Sequence, residues 1–245
     1  WGNGKATAVL FAREGAKIFG IDLNLSAAEE TKRIIDREGG ACAIMKADVS
    51  RSDDVKALVD SCLKTYGRID ILHNNVGIVA PGGPVETSEE TWDKVMAVNM
   101  KSMFLTCKYV LPHMEKQGGG AINNISSVAG IRYTGIPYVT YSATKAGILG
   151  FTQSVALQYA ARHIRVNSIL PGLMNTPMYV EPLKEAYAGG DIERMMEIRN
   201  QQCPMKHMGD GWDVAYAALY LASDEAKYVT GLQFLVDGGI TCKFA

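Results

Sequence analysis

The sequence has no excess of charge in either sign. Lys and Arg number 25 against 26 Asp and Glu, a net charge of −1 over 245 residues. That balance excludes a disordered polyelectrolyte and leaves nothing to hold nucleic acid or an acidic membrane by electrostatics. Cysteine is sparse: five residues (Cys42, Cys62, Cys107, Cys203, Cys242) lie far apart, with no CxxC pair and no Cys/His ligand spacing. Neither a disulfide framework nor a zinc site is expected, and the reading is reduced thiols in a cytoplasmic protein. The four histidines (His73, His113, His163, His207) are isolated and read as structural or surface residues, with no metal role. No apolar run approaches the length that spans a bilayer, and no basic-then-apolar leader opens the sequence. What is present is apolar content, 47%, enough for a sizeable core, on a length that suits one α/β domain over 1–245.

The apolar pattern alternates between two periods. Short runs bounded by Gly, Asp, Asn or Pro occur at Lys17–Asp22, Ala41–Lys46, Ile69–Asn74, Ala121–Ile125, Ile164–Leu170 and Leu232–Val236, and suit buried parallel strands. Between them lie stretches with helical spacing. In Ser52–Tyr66, Val55, Leu58, Val59 and Cys62 form one stripe. Ala6–Glu14 has similar character and stops at Gly15. Thr87 with Glu90 predicts a capping box opening a helix over Glu89–Met114. Repeated strand–helix–strand units predict a doubly wound, Rossmann-type parallel sheet with helices on both faces. Met174–Met208 breaks the rhythm. An insertion after a strand's carboxyl end borders the ligand crevice of such folds, so this segment is a candidate substrate lid.

Gly2-x-Gly4 before a helix is a weak signal alone. Cβ-free residues let backbone N–H groups and a helix N-terminus approach a pyrophosphate, but a plain turn needs glycines too. Asp22, about 20 residues on at a strand end, strengthens it: a carboxylate there accepts from an adenosine ribose and repels a 2′-phosphate. Leu23 follows where a cation would hold that phosphate, so NAD is favoured over NADP. Tyr141 and Lys145 stand four apart on one helical face. Such a pair is usually just a solvated face, yet Asn124-Ile-Ser-Ser127, Asn74-Asn-Val-Gly77 and Pro171-Gly172 with Thr176 all fall at carboxyl ends of predicted strands.

In this order, GxG, the acid Asp22, Asp48-Val49, NNVG, Asn99 in VNM, NISS, YSATK, PG with its Thr, and Val236-Asp-Gly-Gly239 run along essentially the whole sequence. The chain thereby resembles the short-chain dehydrogenases/reductases, in their single-domain branch of about 250 residues. The resemblance implies a catalytic tetrad of Asn99, Ser127, Tyr141 and Lys145. Tyr141 would exchange the proton with the substrate oxygen as a hydride moves to or from nicotinamide, Ser127 would hold that oxygen, and Asn99 would anchor a water leading from Lys145 to solvent. A phenol titrates at about 10, and the Lys145 ammonium together with the positive nicotinamide ring is expected to bring it towards working pH. For the cofactor, the resemblance implies Gly2, Asn3 and Gly4 at the phosphates, Asp22 and Leu23 at the adenosine ribose, and Asp48-Val49 at the adenine. Asn74, Gly77, Tyr141 and Lys145 would lie on the ribose–nicotinamide side, with Pro171, Gly172 and Thr176 at the carboxamide and pyrophosphate.

Three departures stand out. Asn3 fills a position where the family has Ile. The loop Ile131–Thr140 carries one extra residue, so Ser126 stands beside Ser127 as the alternative, the last Ser of NISS being chosen. The family's first strand and first glycine do not occur after Trp1, and about 10 to 20 further residues, a strand plus turn, are expected before it. The function expected is an NAD(H)-dependent alcohol dehydrogenase or ketone reductase for small secondary alcohols. The alternatives are an NADPH-dependent 3-oxoacyl-thioester reductase and a catalytically silent NAD-binding scaffold. Met174, Met178, Tyr179, Leu183, Tyr187, Met195, Met196, Met205, Tyr133 and Tyr138 are lid or pocket candidates, favouring an apolar, cyclic or aromatic substrate if they face the site. The resemblance also implies a homotetramer, with Met100, Met103, Phe104, Phe151 and Leu157 offering apolar area.

Overall fold

All six short apolar runs become strands in the computed structural model, which describes residues 1–179 and 189–243. They are β1 (Ile18–Asp22), β2 (Cys42–Lys46), β3 (Ile71–Asn74), β4 (Gly120–Ile125), β5 (Ile164–Pro171) and β6 (Gln233–Val236). Every ladder is parallel, as expected for strands joined through helices. The helices are α1 (Asn3–Arg13), α2 (Leu25–Arg37), α3 (Ser52–Tyr66), α4 (Glu89–Met96), α5 (Ser102–Gln117), α6 (Val139–Tyr159), α7 (Ile192–Gln202) and α8 (Gly211–Ala222).

Instead of one continuous sheet there are two, β1–β2 and β3–β4–β5–β6. No described strand joins β1 to β3. Their faces nonetheless share a core: Ile18 and Ile71 pack on the same apolar cluster, and the Tyr66 hydroxyl donates to the Ile18 carbonyl at 3.1 Å.

Alternation along β3–β5 sorts the helices to the two faces. Leu72, Ile122 and Val166 pair in register and pack against Val59 of α3, Leu111 and Met114 of α5, and Val155 of α6. Ile125 and Ile169 point the other way, against Phe11 of α1 and Val214, Ala218 and Leu221 of α8. Polar residues enter this core only with partners or in a row. On the α5–α6 face, Thr106 donates to Asn74, Asn74 to Asn124 and Asn124 to Thr152, at 2.8, 2.8 and 3.0 Å. On the other face His73 and Asn123 sit side by side in register; both ring nitrogens of His73 and the Asn123 Oδ1 are buried without a hydrogen bond.

Two local expectations need correction. Ser88, not Thr87, caps α4, its hydroxyl accepting from the Thr91 N–H at 3.1 Å, while the Thr87 hydroxyl turns back to the Gly83 carbonyl. The helix predicted over Glu89–Met114 is broken by a π-type turn at Ala97–Lys101 and then runs on to Gln117. Such turns insert one residue into the helical ladder and re-aim a side chain. Here the side chain is Asn99. Among the described residues no helix is long and apolar enough to cross a membrane, and no group of three His, Cys, Asp or Glu could hold a metal ion.

Candidate active site

The site gathers at the carboxyl ends of β4 and β5, around the first turns of α6. Burial of a long run of α6 places Tyr141 and Lys145, each 2% exposed, one turn apart against the end of β4. The Lys145 ammonium donates to the Ile125 carbonyl at 2.8 Å. Taken out of water with no carboxylate beside it, its pKa is pushed down to about 8. In the chain by itself the Tyr141 phenol shifts upward. Burial first, then the neighbouring Tyr179, hold its phenol well above the ordinary value, while its hydrogen bond with Ser127 works against them. The Lys145 ammonium lies over the Tyr141 ring, 5.4 Å from its centroid. A protonated phenol in an apolar wall is a poised proton donor.

The two candidate serines separate clearly. Ser127 is the one whose hydroxyl draws the Tyr141 phenol down, and its oxygen accepts from the Ala129 N–H at 3.1 Å, capping a short 3-10 turn. Ser126 instead donates to the Lys145 carbonyl at 2.7 Å, tying strand end to helix. Gly130 completes that junction: a Cβ there would fall 2.7 Å from the Lys145 carbonyl carbon and 2.8 Å from the Ala146 nitrogen. Neither the tether nor the glycine was predicted as functional. The unusual run of small residues after NISS was the only hint.

Asn99, fully buried, clamps the loop after β3. Its Oδ1 accepts from the Ile78 N–H at 2.8 Å, and its Nδ2 donates to the Ile78 carbonyl at 2.9 Å and to the Thr144 hydroxyl at 3.2 Å. It thus joins α6 to the NNVG loop and reaches Lys145 through Gly77, whose Cβ would lie 3.5 Å from both Asn99 Oδ1 and Lys145 Nζ.

The glycine-rich opening is part of α1 rather than a free turn: Gly2 caps the helix without a side-chain bond, and Asn3 and Gly4 lie in the first turn. No acidic residue occupies that turn, so its backbone donors and positive dipole end are uncompensated. A Cβ on Gly4 would come 2.7 Å from the Asn75 side chain. Asn75, not Asn74, therefore faces this turn; Asn74 has both ends of its amide engaged inside the sheet. Asn3 Oδ1 is buried without a partner. Asp22 ends β1, its carboxylate accepting from the Asn24 N–H at 2.8 Å, and Leu23 beside it is 64% exposed. Asp48 follows β2 and accepts from the Ser50 N–H and hydroxyl, bonds that hold its carboxyl below the usual range, and Val49 is buried against Val55 and Leu105. Pro171 at the end of β5 and Thr176 beyond it are buried, and Gly172 is required because a Cβ would strike the Asp237 backbone at 2.7 Å.

Of the lid candidates, Met195, Met196, Tyr138 and Tyr179 pack with Tyr141, Ile136, Ala129 and Val79 in one cluster. Tyr138 meets Tyr141 edge to face, centroids 5.5 Å apart. Met174 belongs to the core beside α8, Tyr133 and Met205 are exposed, and Met178 lies at the surface. Leu183 and Tyr187 fall outside the described residues. An open depression of about 730 Å³ along α7, lined by Arg194, Glu197 and Lys206 among others, contains none of these site residues.

A parallel sheet with helices on both faces, and a Tyr–Lys–Ser cluster at its carboxyl edge, define an oxidoreductase of Rossmann type. A family model described as Enoyl-(Acyl carrier protein) reductase matches residues 1–241. The chain is 40% identical over 245 residues to the 3beta-hydroxysteroid dehydrogenase 1 of Eggerthella lenta, covering 98% of this chain and 90% of that protein. It is 36% identical over 244 residues to a cyclohexanol dehydrogenase of Acinetobacter, covering 99% and 92%. The crystal structure of a short-chain dehydrogenase/reductase from Burkholderia xenovorans superposes with a TM-score of 0.95 at 47% identity, covering 100% of this chain and 92% of that one. The chain belongs to the short-chain dehydrogenase/reductase family, whose members bind a nicotinamide cofactor.

Proposed function

We propose that the chain interconverts a secondary alcohol and its ketone with NAD(H), and that Tyr141 exchanges the proton with the substrate oxygen. The observation that carries this reading is the convergence of the buried Tyr141 phenol, its Ser127 partner and the Lys145 ammonium at the end of β4. Bound nicotinamide supplies or accepts the hydride. Everything else falls to the chain. Ser127 holds the substrate oxygen beside Tyr141, and the raised phenol keeps its proton until a developing alkoxide takes it. Lys145, charged below about pH 8, places its positive charge behind the ring and beneath Gly77.

The residues fit a dinucleotide. The first turn of α1, with Gly2, Asn3 and Gly4 and no side-chain cap, offers donors to a pyrophosphate, and the orphaned Asn3 Oδ1 can accept from a hydroxyl. Asp22 would take ribose hydroxyls and repel a 2′-phosphate, Leu23 adds no cation, and Asp48-Val49 would border the adenine. Gly77, Pro171, Gly172 and Thr176 would line the nicotinamide side. Asn74 supports that side only through the sheet. The hydroxysteroid and cyclohexanol dehydrogenases among the relatives support a cyclic secondary alcohol, as do the apolar walls around Tyr141. Five free thiols suit the reducing cytoplasm. For the homotetramer, Phe104 and Leu157, 49% and 79% exposed on α5 and α6, are the available apolar contacts, since Met103 is engaged in the core.

A second reading, NADPH-linked reduction of 3-oxoacyl thioesters, draws on Lys46, which pairs in register with Asp22 and could meet a 2′-phosphate. Parallel assays of cyclic alcohols, ketones and a 3-oxoacyl thioester with both cofactors, followed by nicotinamide absorbance, test the two. Faster turnover with NADP(H), or none with any alcohol or ketone, overturns the first reading.

A further inference from the structure

One group in the site has no task in that chemistry. The Tyr179 hydroxyl stands 2.7 Å from the Tyr141 hydroxyl. Its ring is held in place: the buried Arg199 guanidinium stacks over it at 5.5 Å, and Arg199 is itself fixed at 3.2 Å from the Met208 sulfur. Burial pushes the Tyr179 phenol up, so it remains a neutral donor. Among the described residues, Met195, Met196 and Val79 pack with it in the same apolar cluster.

A carbonyl oxygen has two lone pairs, and Tyr141 and Ser127 fill them. A phenol oxygen accepts as well as donates, so Tyr179 can give its hydrogen to the Tyr141 oxygen while Tyr141 gives its own to the substrate. The Tyr179 oxygen can then accept from a second substrate hydroxyl lying along the same wall. Two gauche oxygens on adjacent carbons are about one hydrogen-bond length apart, the same separation as the two phenol oxygens.

We propose that Tyr179 determines specificity by binding a second substrate oxygen on the carbon next to the reacting one, so that cyclic vicinal diols and the matching α-hydroxyketones are the preferred substrates. The inference rests on the alcohol–ketone reading above. In the diol oxidation one C–H bond breaks, its hydride going to the oxidised nicotinamide. The O–H proton of the same carbon goes through Tyr141 to solvent, and the second hydroxyl is unchanged, held by Tyr179.

The experiment compares the cis vicinal diol of cyclohexane with cyclohexanol, in the wild-type enzyme and in Tyr179→Phe, by kcat/KM with both cofactors. Binding of the diol to the enzyme–NADH complex is followed in parallel by nicotinamide fluorescence. The expected wild-type result is a diol preference of about tenfold or more, with Tyr179→Phe lowering the diol-to-monoalcohol ratio by about tenfold and weakening diol binding to match. Equal wild-type efficiencies for the two alcohols overturn the proposal, as does a ratio unchanged in the variant, which includes both activities falling together. Oxidation of neither alcohol by the wild type with either cofactor defeats the alcohol–ketone reading itself, a different result from oxidation without preference.

Discussion

The Ser126 hydroxyl donates to the carbonyl oxygen of Lys145 at 2.7 Å, while its neighbour Ser127 turns to the phenol of Tyr141. Two adjacent serines with extended backbone between them point to opposite sides, one to the helix that carries the site and one into the site. Ser127→Ala is therefore expected to lower kcat by about 10² or more with little change in melting temperature. Ser126→Ala is expected to cost about 1–2 kcal/mol of stability, from loss of the buried bond that ties β4 to α6, with a smaller loss of turnover. Thermal melts beside steady-state kinetics separate the two; the reverse pattern would reassign the serines.

Tyr141→Phe removes the proton donor and keeps the ring that packs against Tyr138. Turnover is expected to fall by about 10²–10⁴ while far-UV dichroism and the melting temperature stay near wild type. Residual activity above a tenth of wild type would show that another group moves the proton.

Gly130→Ala places a methyl group against the backbone of Lys145 and Ala146, which cannot rotate away as a side-chain end could. The helix must shift, at about 1–3 kcal/mol, and carry Lys145 and Tyr141 with it. Loss of both stability and turnover is expected; urea unfolding and kcat measured together check it.

His73 makes stability depend on pH. Burial lowers its pKa from 6.5 to about 4, so the unfolded chain binds the proton more readily than the folded one between those values. Stability then rises with pH across about pH 4 to 6.5 and is flat above, this group contributing about 3 kcal/mol over the window. Urea midpoints at pH 4.5 and 7, compared between wild type and His73→Leu, measure it. An equal slope in the two proteins would sink the assignment.

Asp22→Ala combined with Leu23→Arg exchanges a carboxylate for a cation at the end of β1. The NAD-to-NADP preference in kcat/KM is expected to shift towards NADP by about tenfold or more, Arg pairing with a phosphate more strongly than Lys46 can alone. Unchanged preference would place the adenosine ribose elsewhere.

Much of this was legible in order along the chain. Composition allowed a sizeable core, short bounded apolar runs and a period-3.6 stripe located six strands and the helix Ser52–Tyr66, their alternation set the α/β class, and the motif order gave the family. Local spacing encodes these things, because an amphipathic stripe and a glycine at a turn are properties of neighbours in sequence. Contacts between distant segments are not. Only the folded chain showed that Asn75 rather than Asn74 meets Gly4, that Lys145 lies over the Tyr141 ring, that burial raises the phenol, and that Tyr179 reaches the Tyr141 hydroxyl from 38 residues away. Each depends on which face of a strand or helix a side chain takes and on how much water is excluded there, and both are decided by packing.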